Sequence, residues 1–401
     1  MKKYRKYESR EAQNGFAFIV VIGILLLVTG LALVSFNTSD TDRQIASNNL
    51  GSSRAYYAAE AGAVHAMAVL DDSTSWRGGF YRALVKDGYN GYYTVDVLDK
   101  LDTPALMDSL LVRATGNAAG GPNATESVIE VMLVPQYKKL FTAAAFGDTF
   151  TFIGKRAFVN SYDSDSGTYA ATARLNSADI GSNGRLITDD RNSKIGGDVY
   201  TSSPGGLQID PTTTVYGDTT STGPVVVLDP IPQSLIDNAR NNNNAPLGLS
   251  GGFFFDPVTK NLVISGPTTM ASGTYYFNNV TLNSSTQLLL APGAKVTICM
   301  VGNFVANTAA NVSQPSDAPS EMQIYSTGSL FKLDWNANIS AAVYAPNALI
   351  HAVQHNQMYG SFIGKGFYSQ FKDPYIHYDR ALMNAQTAIF DGWKKVAWHV
   401  L

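Results

Sequence analysis

The chain has 401 residues, enough for two or three domains, and its net charge of −3 argues against a general nucleic-acid binder. Charged residues make up only 15% of the chain, below the roughly 25% typical of soluble domains. The single cysteine, Cys299, excludes an intramolecular disulfide, and its apolar surroundings (KVTICMVG) predict a buried side chain.

An uncharged stretch begins close to the N-terminus. No Asp, Glu, Lys or Arg occurs between residues 12 and 39, and residues 16–36 are dominated by Val, Ile, Leu, Ala and Phe. About 20 such residues cross a bilayer as a helix. We therefore predict a single pass through the cytoplasmic (inner) membrane. The flanking charges place the N-terminus inside: Lys2, Lys3, Arg5, Lys6 and Arg10 outnumber Glu8 and Glu11.

The helical pattern continues beyond the membrane segment. Apolar residues recur there at spacings of three and four, which predicts an amphipathic helix: Tyr56, Ala59, Ala63, Met67 and Leu70. A helix over residues 16–70 would be about 80 Å long. A secretory signal fits poorly, because its apolar core is shorter and a small-x-small cleavage site follows it.

A short basic leader that ends in Gly15, followed by Phe16 and an apolar helix, resembles the precursor of a type IV pilin or pseudopilin. The run RAYYAAEAGAVHAMAVL, residues 54–70, resembles the N-terminal region of PilX-type minor pilins. The resemblance implies that a prepilin peptidase removes leader 1–15 and methylates the new N-terminus at Phe16. The implied partners are other pilins or minor pilins and the inner-membrane assembly machinery. A plain signal anchor with an incidental glycine is the alternative.

One position departs from the pilin pattern. Major pilins usually carry glutamate at the fifth mature position, which is Val20 in this chain. PilX-type proteins often lack this acid too, so the departure argues against a major filament subunit. We assign Val20 to assembly, because the first subunit of a filament has no N-terminal amine above it for an acid to meet.

Residues 71–91 break the helix with Gly, Asp and Asn. We predict a small antiparallel pilin-like head over residues 71–137, packed on the apolar face of the helix. Its expected strands alternate or end in turns: residues 92–98, 109–118 and 125–134. Pro135 and the basic pair Lys138 and Lys139 mark the start of the next domain.

Short strands between Gly-, Asn-, Ser- and Thr-rich turns fill residues 138–382, at a spacing near one solenoid coil of ~15–25 residues. We predict an irregular β-helix, with a β-sandwich as the alternative, which makes the chain α+β overall. Residues 383–401, with Trp393 and Trp398, are expected to cap its last coil. Residues 339–382, with YAPNA, YGS and HYD, resemble the β-helical module found after PilX-type N-termini in bacterial surface proteins. RAFVNSYDSDSG, residues 156–167, resembles an earlier element of that module.

The sequence offers no catalytic motif. It contains no nucleophile elbow, phosphate loop or zinc motif, so neither enzyme activity nor a cofactor is expected. His351 and His355 are four residues apart, and His377 is two residues before Asp379. In a strand-and-turn region this spacing does not place the first two on one face, so structural hydrogen bonds are expected rather than a metal site.

Two weak calcium candidates are Asp163 and Asp165 in YDSDSG, because alternating oxygen ligands begin a calcium loop. The twelfth position of such a loop is Arg174 rather than glutamate, which excludes an EF-hand. A looser site would borrow another carboxylate: Asp179, Asp189 or Asp190. The alternative is an Asp/Ser turn that bonds its own backbone.

The leading functional hypothesis is a minor pilin-like structural subunit of a type IV pilus or pilus-like filament. It would prime assembly at the tip, display an adhesive head for surface glycans or for host or abiotic surfaces, or both. A secretion-system minor pseudopilin is the first alternative. A membrane-tethered carbohydrate-binding or carbohydrate-processing β-helix is the second. After export the body would lie on a pilus or at the cell surface.

Overall fold

The computed structural model describes residues 11–73, 75–85, 91–100, 109–118, 125–189 and 192–401. The chain divides into two compact units. The first consists of Met1–Gln136 together with Asp391–Leu401, and the second is the uninterrupted segment Tyr137–Phe390. In sequence, the second unit is therefore an insertion within the first.

One long helix, α1 (Glu11–Asp72), begins the first unit. By length and composition its part from residue 16 onward is able to cross a membrane, and none of its most apolar window is buried. Farther along, the predicted amphipathic face is the face that packs. Four of its residues have no exposed surface: Ala59, Ala63, Ala66 and Leu70. Tyr56 and Met67 are partly buried against the same core.

The helix packs on an antiparallel sheet. Its strands, in sheet order, are β1 (Phe80–Leu84), β2 (Gly91–Lys100), β3 (Ser109–Ala118), β4 (Thr125–Tyr137) and a C-terminal strand (Phe390–Val400). Gly116 of β3 meets the helix backbone, since a Cβ at this position would lie 2.1 Å from the carbonyl oxygen of Ala55. A residue without a side chain is needed for this close approach. The small antiparallel sheet predicted from the sequence is confirmed.

The prediction that residues 383–401 together cap the β-helix is wrong for the C-terminal strand. Residues before that strand do pack on the β-helix, where Ile389 lies in the core and Ala385 and Ala388 pack against it. The C-terminal strand joins the sheet of the first unit, beside β4. Trp393 and Trp398 are partly buried against the core of that unit. The backbone N–H of Leu401 donates to the carbonyl of Val128 at 3.0 Å.

The second unit forms a 22-stranded sheet within its described residues. The strands are β5 (Ala145–Ile153), β6 (Phe158–Tyr162), β7 (Ile180–Ser182), β8 (Arg185–Thr188), β9 (Lys194–Ile195), β10 (Val199–Thr201), β11 (Leu207–Gln208), β12 (Thr214–Val215), β13 (Thr219–Thr220), β14 (Leu249–Phe255), β15 (Leu262–Met270), β16 (Gly273–Phe277), β17 (Val280–Leu282), β18 (Gln287–Leu290), β19 (Val296–Met300), β20 (Phe304–Ala306), β21 (Asn311–Ser313), β22 (Met322–Ser326), β23 (Leu330–Leu333), β24 (Asn338–Ala352), β25 (Gln357–Ser369) and β26 (Tyr375–Asp379). The helices are α2 (Tyr169–Thr172), α3 (Gln233–Asn241) and α4 (Ala245–Gly248), with 3-10 turns at Pro319–Glu321 and Arg380–Asn384.

These strands pair in parallel, except in the antiparallel hairpin of β14 and β15. Each strand pairs with the equivalent strand one coil away. Phe304, for example, is in register with Val280 on one side and Phe331 on the other. Parallel pairing of successive coils defines a β-helix, so that prediction is confirmed and the β-sandwich alternative is wrong.

The coils do not stack in chain order. Strands β25 and β26, at the end of the unit, pair with β5 and β6 at its start. The stack therefore ends with β11–β13 on one side and with the β14–β15 hairpin on the other, and residues 221–248 connect the two ends. The last coil in the sequence lies in the middle of the stack. This is the physical reason why the C-terminal strand finds no open coil there to cover.

Inward side chains form continuous columns. The ring centroids of Phe304 and Phe331 lie 4.3 Å apart with 5° between the ring planes, so the two rings stack from one coil to the next. Cys299 is fully buried, and burial raises the pKa of its thiol to about 12. It is the unreactive apolar side chain that the sequence predicts.

Candidate functional site

The predicted processing residues lie within α1, which runs through Gly15 and Phe16 without a break. The side chain of Phe16 is 72% exposed and that of Val20 is 42% exposed. A continuous run of exposed apolar side chains is typical of contact with lipid or with other helices. Cleavage after Gly15 and a role of Val20 in assembly stay predictions.

The motif YDSDSG forms a turn that bonds to itself. The backbone N–H groups of Ser166 and Gly167 each donate to the carbonyl of Asp163 at 3.1 Å. The hydroxyl of Ser166 also donates to the Asp163 carboxylate at 2.9 Å. This is the Asp/Ser turn that the sequence offered as the alternative to a calcium loop.

Residues near the C-terminal end of the β-helix, Asp379 and Arg380, hold this turn in place. The Asp379 carboxylate accepts from the backbone N–H of Ser164 at 3.0 Å and from its hydroxyl at 2.6 Å. It also accepts from the backbone N–H of Ala381 at 3.1 Å. The Arg380 guanidinium lies 3.6 Å from the Asp163 carboxylate. Burial raises the pKa of Asp379, and the bonds from Ser164 oppose that rise. The two segments singled out by resemblance are thus joined across stacked coils.

The looser calcium site is not assembled. Among the described residues, no group of three His, Cys, Asp or Glu is placed to hold a metal ion. Asp163 and Asp165 are therefore not part of such a group within the described residues. Two of the further carboxylates considered as calcium ligands have other partners. Asp179 accepts from the backbone N–H of Asp198 at 2.9 Å, and Asp189 lies 3.8 Å from Lys155. The third, Asp190, lies outside the described residues.

The three C-terminal histidines of the β-helix make structural contacts. Nε2 of His351 lies 2.8 Å from the Gln370 side-chain oxygen. Nδ1 of His355 lies 3.1 Å from the Asp373 carboxylate. His377 is in a different environment and is 3% exposed.

His377 is held between neutral polar groups. Its Nδ1 lies 2.7 Å from the Asn160 side-chain oxygen, and its Nε2 lies 2.9 Å from the Gln357 side-chain oxygen. A neutral imidazole donates to only one of these two oxygens. The Asn160 amide donates to the Tyr169 hydroxyl at 3.1 Å, which turns its oxygen toward the histidine. Burial, which disfavours the charged form, lowers the pKa of His377 to about 3.

We expect the β-helix to lose stability on acidification because of His377. In the unfolded chain this histidine titrates near its ordinary pKa of 6.5, so below that pH the unfolded state takes up a proton first. The contribution of the neutral His377 to the free energy of unfolding is complete above pH 6.5. It falls by about 1.4 kcal/mol per pH unit down to about pH 3. Urea unfolding at pH 7 and pH 4.5 should show a loss that is about 2–3 kcal/mol smaller in His377→Gln than in the natural sequence.

The matched control is His399→Gln, because His399 is exposed. It should leave the acid-induced loss unchanged. An identical pH dependence in His377→Gln and the natural chain would contradict the assignment of a buried, neutral imidazole.

A polar cavity of about 470 Å³ opens on the β-helix. Strands β19 and β22 form one wall, where Thr297 and Gln323 are in register. No local sequence pattern predicts this cavity, since its residues come from four separated segments. It is lined by Asp165, Lys295, Val296, Thr297, Ser320, Glu321, Gln323, Ala381, Asn384, Ala385, Gln386, Thr387 and Ala388.

Comparison with known proteins finds a similarity over part of the chain. Residues 208–385 match the family model of a domain of unknown function (DUF7305). No curated protein matches the sequence.

Several solved structures are similar to the chain. The competence-associated pilin ComZ from Thermus thermophilus is 14% identical, with 88% of this chain and 97% of that chain covered and a TM-score of 0.26. An ice-binding protein from an Antarctic biological consortium is 12% identical over 61% of this chain and 91% of that chain, with a TM-score of 0.34. One from the Antarctic ascomycete Antarctomyces psychrotrophicus is 9% identical over 61% and 98%, with a TM-score of 0.31. All these TM-scores are below 0.5, so the fold assignment rests on the strand pairing of this chain itself.

Proposed function

We propose that this protein is a minor pilin-like subunit of a type IV pilus or pilus-like filament. It is anchored by α1 in the inner membrane with its N-terminus inside, and it is then added to the filament tip. There it primes assembly, displays the β-helix as an adhesive head, or both. It binds and assembles rather than catalysing a reaction.

One observation carries the proposal: a single helix, α1, serves two different environments. Its apolar first part is exposed, as at Phe16 (72%) and Ile19 (68%), whereas Ala63 and Leu70 have no exposed surface. Burying apolar surface is favourable by about 25 cal/mol per Å², so the exposed part requires lipid or neighbouring helices. A pilin-like helix finds lipid around its apolar part while it is in the bilayer. It finds neighbouring helices there once it has entered a filament.

The place at the tip is supported by the residue at the fifth mature position. In pilin-like filaments, an incoming glutamate is thought to pair with the N-terminal amine of the subunit above it. An unpaired charge in a bilayer costs about 2.5–3.5 kcal/mol on insertion scales. A first subunit has no amine above it, so Val20 fits that position. The large β-helix beyond residue 137 also fits better at an end than along a packed shaft.

We expect few copies of this protein per filament, all at one end. Immunogold labelling of the β-helix on sheared filaments measures the position and number of copies. Val20→Glu should give no gain in incorporation, because no partner amine lies above the first subunit. Labels spaced evenly along filaments, at a ratio near that of the major subunit, would contradict the proposal. Labels confined to cell membranes, with secretion of an exported substrate impaired, would favour a pseudopilin instead.

A further inference from the structure

The polar cavity of the β-helix contains side chains that are free to bind a ligand. Four of its lining residues make no side-chain hydrogen bond or ion pair within the described part of the chain: Asp165, Lys295, Asn384 and Gln386. They supply one carboxylate, one ammonium group and two amides. A volume of about 470 Å³ falls within the range of small-molecule sites.

The wall of the cavity is fixed before any ligand arrives. Gln323 is 9% exposed, and its amide donates to the carbonyl of Gln386 at 2.8 Å. Its oxygen accepts from the Tyr325 hydroxyl at 2.6 Å, and that hydroxyl also accepts from the backbone N–H of Ala388 at 2.7 Å. The segment that closes the cavity is thus tied to the strands of the β-helix. A fixed wall lowers the entropy lost on binding.

The charges of the lining disfavour an anionic ligand. Asp165 and Glu321 are both carboxylates, and Lys295 is the single cation among the lining residues. Glu321 already accepts a hydrogen bond from the hydroxyl of Ser316. A phosphate, a sulfate or an acidic sugar would therefore meet more negative than positive charge.

The chemistry of the lining also disfavours an apolar ligand. Nine of its thirteen residues are polar, and the apolar remainder consists of Val296 and three alanines. No aromatic ring is among them. A ligand here is recognised through hydrogen bonds to a mixture of donors and acceptors. Hydroxyl groups suit such a mixture, because each one both donates and accepts.

We propose that this cavity binds a neutral carbohydrate of one or two sugar residues. The inference rests on the proposed function, since it gives the adhesive head a ligand class. Carboxylate and amide oxygens accept from the sugar hydroxyls, and the Lys295 ammonium and the amides of Asn384 and Gln386 donate to them. Recognition is by hydrogen bonding rather than by stacking on a ring.

The test uses the full-length protein in phospholipid nanodiscs, because maltoside detergents would compete for the site. Neutral gluco-, manno- and galacto-oligosaccharides are the probes, with sialylated and sulfated oligosaccharides and free amino acids for comparison. At least one neutral oligosaccharide should bind best. Asp165→Asn and Lys295→Gln should each weaken its binding about tenfold, the usual loss for one charge-assisted hydrogen bond. Both residues are exposed, so folding should be retained.

Two further variants separate the cavity from the rest of the surface. Thr297→Trp places a large side chain in the cavity from an outward-facing strand position and should abolish binding. Lys365→Gln changes an exposed lysine that does not line the cavity and should leave binding unchanged. The proposal is overturned if no neutral oligosaccharide binds, if Thr297→Trp binds normally, or if anionic glycans or amino acids bind better.

This outcome is independent of the position in the filament. Binding is measured on the isolated protein, whereas labelling is measured on sheared filaments. A protein that binds the sugar but is absent from filament tips would overturn the proposed function alone. A tip subunit without sugar binding would overturn only the ligand assignment.

Discussion

Deletion of residues 391–401 is expected to unfold the first unit and to leave the β-helix folded. The deletion removes the neighbour of β4 together with Trp393 and Trp398, which pack on the core of that unit. Truncating one fully buried tryptophan costs about 3–5 kcal/mol. The loss of two partly buried ones and of a whole strand is therefore large compared with the total of about 5–15 kcal/mol that a domain has. Hydrogen–deuterium exchange of the full-length variant in nanodiscs should show fast exchange in β2 and β3 and unchanged protection in β15–β25.

A pair of single substitutions tests the same point without shortening the chain. Trp398→Ala should destabilise the first unit, whereas Lys394→Ala, at an exposed position of the same strand, should not. If the deletion instead removed protection from the β-helix and spared β2 and β3, the C-terminal strand would be the cap that the structure rules out.

Gly15→Leu is expected to abolish maturation. The resemblance to pilin precursors implies a peptidase that accepts only a residue without a side chain before the cut, and Phe16 then becomes the free N-terminus. The variant should accumulate as the full-length precursor, with mature protein below detection. N-terminal sequencing and intact mass of the membrane fraction measure this directly.

Gly23→Leu is the matched control, because Gly23 lies in the same helix and a Cβ there meets nothing within 4 Å. Leucine favours a helix over glycine by somewhat less than about 1 kcal/mol, so this variant should be inserted and cut normally. Normal cleavage of Gly15→Leu, or a wild-type protein that still begins with its basic leader, would refute the processing assignment.

The sequence predicted those elements whose signal is local. The strand expected at residues 109–118 matches β3, because its run of β-branched and apolar residues ends in turn sequences. It did not predict β1, where a register shift between Phe80 and Ala83 and a positive φ at Arg82 interrupt the alternation. The C-terminal strand escaped for a similar reason, since Gly392 has a φ of +120°.

Contacts between distant segments could not be predicted. The self-bonded turn at Asp163 is local and was among the alternatives, but its bonds to Asp379 and Arg380 join residues more than 200 positions apart. The order of the coils is hidden for the same reason: every coil has similar turns, so nothing local tells β26 to pair with β6. The polar cavity could not be predicted for the same reason, because its residues come from four separated segments.

Because the second unit is inserted within the first, the two parts of the first unit are synthesised at different times. About 250 residues separate β4 from the C-terminal strand, and at 5–20 residues per second a ribosome needs roughly 13–50 s to make them. During that interval β4 has an open edge, and an open edge pairs readily with other strands. The segments that emerge meanwhile are themselves strands. Any chain that stops within the β-helix never completes the first sheet, so a five-stranded sheet shows that synthesis has passed the C-terminal strand.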